Sequence, residues 1–81
     1  MGFDQRKWAL NWIKGSVISY ISGKISLNVL LGRMEKSIKD YNVTVNDVKS
    51  LLNSLLLDPT LDVDEEVRKK VEEVLKFLES R

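Results

Sequence analysis

The chain contains no cysteine and no histidine. Without thiols, no disulfide or thiolate metal site can brace the fold. Without imidazole, the usual zinc sites and histidine-based acid–base catalysis are excluded, and no cofactor is expected. Proline occurs once and glycine four times in 81 residues, so punctuation between regular elements is sparse. The longest apolar runs are two or three residues, as in Leu55-Leu56-Leu57. That is far short of the ~20 needed to span a bilayer. The opening Met-Gly-Phe-Asp-Gln-Arg-Lys lacks the apolar core of a signal peptide. These absences lead us to expect a cytoplasmic chain.

What is present is 43% hydrophobic and 31% charged, the balance of a folded soluble domain. The length suits one domain over residues 1–81. A chain this short buries only roughly two thirds of its unfolded surface, so packed helices must supply the stability. The net charge of +1 is unevenly placed. Residues 1–40 hold seven Lys/Arg against three Asp/Glu, giving +4, and residues 41–81 hold six against nine, giving −3.

Four segments carry helical periodicity. The first runs from Asp4, an N-cap, to Tyr20 or Ile21, with Gly23 suited to the left-handed position beyond its end. The second starts at Ser26, with Ile25 and Leu30 at the spacing of a hydrophobic staple. Leu27, Leu31, Met34, Ile38 and Tyr41 follow as a narrow heptad-like stripe, and Asn42 ends the helix. The third opens on Thr44-Val45-Asn46-Asp47, close to a capping box, with Val43 and Val48 as staple and a core face from Val45 to Leu56. Asp58-Pro59 stops it. The fourth is expected to start at Asp62, paired with Glu65. Val63, Val67, Val71, Val74 and Leu78 line its inner stripe, widened by Leu75 and Phe77. Its outer face carries Glu65–Lys69, Glu66–Lys70 and Glu72–Lys76 at i,i+4. The pattern predicts an all-α protein, a compact bundle of about four short helices.

The first helix has more apolar surface than one stripe requires. Leu10, Ile13, Val17, Tyr20 and Ile21 fall on one side. Trp8 and Trp12 fall on nearly the opposite side, continued by Gly15 and Ser19. A helix with two apolar faces is either the middle of a packed arrangement or half of an interface. Trp8, Trp12, Gly15 and Ser19 are therefore the candidate partner-binding residues. Trp is enriched in interface hot spots, and small residues allow close approach. The competing expectation is that the last two helices wrap round and bury both tryptophans as core.

Other chemistry is poorly supported. The carboxylates of the fourth helix share an exposed face with lysines, the wrong setting for a raised pKa. The serines have no histidine to activate them. Gly15 and Gly23 follow no strand and form no phosphate-cradling loop. Arg6, Lys7, Lys14, Lys24, Arg33 and Lys36 offer a dispersed basic surface for nucleic acid, with Trp8 or Trp12 available to stack on an unpaired base. The third helix would be the reading helix of a helix-turn-helix, but Lys49 is its only cation, which argues against base readout. Membrane binding calls for a strongly cationic amphipathic helix, which is lacking.

Two resemblances accompany these readings. The run Asp58-Pro59-Thr60-Leu61-Asp62-Val63-Asp64-Glu65-Glu66-Val67-Arg68-Lys69-Lys70-Val71 resembles the second helix of a HEAT repeat. There is no second copy, and a single repeat cannot bury its own face. By size, all-helical pattern, lack of Cys and His, and the stretch Asp4-Gln5-Arg6-Lys7-Trp8-Ala9-Leu10-Asn11-Trp12, the chain resembles the small accessory subunits of the family-B DNA polymerase holoenzyme of Sulfolobus-type archaea. The resemblance implies a non-catalytic role in DNA replication, docked on a polymerase. The expected function is thus a non-enzymatic protein-interaction module. The alternative is a small nucleic-acid-binding protein using its basic half, with a structural homodimer third.

Overall fold

The four helices begin where side chains can accept the first backbone N–H groups. The computed structural model describes residues 4–80, with α1 at Gln5–Ile21, α2 at Leu27–Asp40, α3 at Val45–Leu56 and α4 at Glu65–Glu79. No strand occurs among the described residues. Asp4 accepts from the Lys7 N–H at 3.0 Å and Ser26 from the Val29 N–H at 3.3 Å. Thr44 and Asp47 form the reciprocal box: each accepts the other's backbone N–H, at 3.1 and 3.0 Å. The first connection is a Schellman turn. Gly23, at φ 79, donates to the Tyr20 carbonyl, and Lys24 to that of Ser19. Asn42, at φ 63, plays the left-handed part after α2.

α4 starts later than its sequence suggests. Its cap is Asp64, not Asp62, and Asp64 accepts from the Val67 N–H at 2.9 Å. The Asp58 carboxylate accepts from both the backbone and the hydroxyl of Thr60, and the Leu61 N–H donates to the Asp58 carbonyl. That turn holds the chain out of helix past Asp62. The shift places Glu65 and Glu66 in the first turn, beside the positive end of the helix dipole.

α1 is the middle of the arrangement: it packs against each of the other three helices, and α3 also packs on α4. One cluster of buried apolar residues joins them, with Ile13, Val17, Leu30, Met34, Val48, Leu52, Val71 and Val74 nearly inaccessible. The faces differ from the hydrophobic pattern in two places, for one reason. On α1 the buried residues are Ala9, Ile13, Ser16, Val17 and Tyr20, while Leu10 is only partly covered. On α2 they are Leu30, Met34 and Ser37; the stripe residues Leu27, Leu31, Ile38 and Tyr41 are partly covered. Ala9, Ser16 and Ser37 are small, and the hydroxyls of Ser16 and Ser37 donate to the carbonyls four residues earlier, those of Trp12 and Arg33. Buried hydroxyls so satisfied cost little, and small side chains let α1 and α2 lie close.

α4 closes on the far end of α1. Lys70 donates to the Ile21 carbonyl at 3.5 Å and lies 5.4 Å from the Tyr20 ring centroid. A cation on the last carbonyls of a helix opposes its negative end. Lys70 is thereby drawn from the expected Glu66 pair. Of the outer-face pairs, the structure records Glu65–Lys69, at 3.8 Å.

Candidate functional site

The shift in the α1 core face moves both tryptophans. Trp12 stands four residues before the buried Ser16 and so borders the core instead of opposing it; it is half-buried. Trp8, one turn earlier, remains 44% exposed. The two indoles stack, with centroids 5.5 Å apart and planes inclined at 27°. Tyr41, at the end of α2, meets Trp8 edge-on at 5.6 Å. The ring contacts described for the tryptophans come from each other, from Tyr41 and from Arg33, that is from α1 and the α2 side.

Arg33 completes the group. Its guanidinium lies 5.7 Å from the Trp12 ring centroid and donates to the Ser16 hydroxyl at 2.9 Å. That hydroxyl donates in turn to the Trp12 carbonyl at 2.8 Å. Trp12 is therefore held by its ring and by its backbone from the same cation. Val29, one turn before Arg33 on the same side of α2, is 44% exposed. The result is an apolar strip along the α1–α2 seam with a guanidinium set into it. No enclosed pocket and no metal-ligand cluster occur among the described residues. No helix among them is long and apolar enough to cross a membrane.

Gly15 and Ser19 follow on the same flank of α1. Ser19 is half-buried and Gly15 exposed, with no neighbouring atom within 4 Å of where a Cβ would stand. Among the described residues, then, nothing uses the close approach that Gly15 allows.

The six basic candidates do not form one surface. Arg6 is committed to Asp47 at the start of α3. Lys36 pairs with Asp40 at 3.8 Å. Lys14 lies two residues from Trp12, about 200° round the helix, on the side where its charge helps hold the Asp58 carboxyl down, after the larger effect of the Thr60 hydrogen bonds. Lys7 is seven residues from Lys14 and shares its side; it and Lys24 are exposed. Of the six, Arg33 is the one with a described contact to the aromatic strip, and Lys36 lies one turn beyond it on α2.

Sequence reading missed Arg33 and Tyr41 as supports of the tryptophans. It placed Arg33 among dispersed cations and Tyr41 on a core stripe. An antiparallel α1–α2 hairpin brings the end of α2 to the start of α1, and that pairing was the available signal. Comparison of the chain with models of known families, with curated proteins and with solved structures finds no significant match.

Proposed function

We propose that this chain is a non-enzymatic interaction module, an accessory subunit that docks on a larger protein in the cytoplasm through the α1–α2 seam. The observation that carries this reading is the exposed Trp8, stacked on a Trp12 that Arg33 and Ser16 hold in place. Trp, Tyr and Arg are the residue types that dominate binding hot spots. A stacked, hydrogen-bonded platform loses little side-chain freedom on binding, which favours affinity. The resemblance to archaeal polymerase accessory subunits makes a family-B DNA polymerase the first partner to test.

The same strip supports a second reading. Arg33 and Lys36 beside two stacked indoles also suit an unpaired nucleic-acid strand. Affinity capture from native lysate, with and without nuclease, separates the two. A protein retained after nuclease treatment and lost with Trp8→Ala supports docking. Loss of every partner on nuclease treatment overturns it in favour of nucleic acid.

A further inference from the structure

Arg33 is half-buried, yet its charge meets only a hydroxyl and an indole face: no carboxylate among the described residues lies within ion-pair distance of it. The other cation of the strip, Lys36, is already paired with Asp40. α1 itself carries no acidic side chain from Gln5 to Ile21. A guanidinium drawn partly out of water gains most from a carboxylate, which it binds with two parallel N–H donors. On the reading that this seam docks a protein, we infer that the partner presents an acidic segment. One of its carboxylates pairs with Arg33, and a neighbouring apolar or aromatic side chain covers Trp8.

A phosphate backbone fits less well. Strand tracking needs a row of cations, whereas among the described residues the strip offers Arg33 alone as a cation without a carboxylate partner. Asp4, one turn before Trp8 at the α1 N-cap, would face a phosphate at that end with like charge. A single carboxylate beside Arg33 avoids both.

The test begins with selection of random twelve-residue peptides on the immobilised full chain, with counter-selection on Trp8→Ala. The expected peptides carry Asp or Glu one or two positions from a Leu or an aromatic residue. The best is then remade with its acid changed to the amide, and both forms are titrated against wild type, Arg33→Met and Arg33→Lys. A charge-assisted pair predicts that the amide form binds wild type roughly tenfold more weakly, as loss of a charged hydrogen bond usually costs. The same change should have little effect against Arg33→Met, and Arg33→Lys should fall between. Circular dichroism checks that both variants fold; if neither does, the acid-to-amide change on wild type, repeated at high salt, still decides. Trp8-dependent peptides without acids, or an amide change felt equally by wild type and Arg33→Met, overturn the acidic-partner inference and leave the docking reading standing. No Trp8-dependent peptide at all overturns the docking reading. A dT12 oligonucleotide that displaces the selected peptide at about 150 mM salt overturns both.

Discussion

Arg6, in the first turn of α1, grips both carboxylate oxygens of Asp47, the residue that closes the capping box of α3. Its Nε donates to Oδ2 at 3.0 Å, and the same oxygen accepts the Thr44 N–H at 3.0 Å. One side chain therefore caps a helix and ties it to another helix 41 residues away.

The first prediction concerns acid. The Arg6 hydrogen bond, then the Thr44 backbone N–H, lowers the Asp47 pKa from 3.8 to about 2. A lowered folded-state pKa stabilises the fold above the unfolded value, and the gain disappears as pH falls through the folded one. The contribution is complete above pH ~5, declines below pH ~4 and is gone near pH 1. Urea midpoints of wild type and Asp47→Asn should differ at pH 7 and converge as pH falls through this window. A difference that stays constant from pH 7 to pH 2 would contradict the assignment.

A second prediction uses two glycines in opposite settings. Gly15 sits inside α1 with open space where a Cβ would go. Gly15→Ala should stabilise the free chain by about 1 kcal/mol, the ordinary helix-interior difference. Gly23 sits at φ 79 in the Schellman turn, so Gly23→Ala should destabilise by about 1 kcal/mol. If a partner helix approaches closely at Gly15, the first substitution also weakens binding while raising stability. Thermal melts and partner titration of the same variants report both.

A third prediction ranks side chains by burial. Trp8→Ala should cost about 1 kcal/mol, chiefly its ring contacts with Trp12 and Tyr41. Trp12→Ala should cost about 2 kcal/mol, since it removes half-buried packing under Arg33. Ile13, fully buried between the helices, should cost about 3–4 kcal/mol as Ala. Denaturant melts give the order. A Trp8 cost equal to that of Ile13 would mean that Trp8 serves the core.

Much of this fold was legible because local signals agreed. Asp4, Ser26 and Thr44 cap where sequence places them, and Gly23 and Asn42 take the left-handed positions. Asp62 and Asp64 were indistinguishable by composition, and the Asp58–Thr60 turn decided between them through geometry that no periodicity encodes. The core faces of α1 and α2 were legible in part: Ile13, Val17, Tyr20 and Met34 are buried as expected, but Ala9, Ser16 and Ser37, weak or polar in a hydrophobic pattern, are buried beside them. In the fold all three are almost fully buried. The tryptophans stood out in the sequence, but their supports Arg33 and Tyr41 lie on another helix and became visible only once the hairpin was paired.

The last prediction sets a limit on nucleic-acid binding. Arg6 and Lys36 already have carboxylate partners, and Lys14 lies across α1 from Trp12. A strand stacked on Trp8 would therefore reach only two or three cations at once. Each neutralised phosphate of a single strand contributes about −0.7 to the slope of log K against log salt, so the slope should be no steeper than about −2. So few displaced counterions supply little affinity at physiological ionic strength. Titration of dT12 monitored by tryptophan fluorescence, from about 20 to 200 mM salt, should show a shallow slope and binding weaker than micromolar at ~150 mM. Submicromolar binding there, or a slope well beyond −2, would mean that the basic half gathers its cations on the strand in a way the free chain does not, and would make nucleic acid the primary ligand.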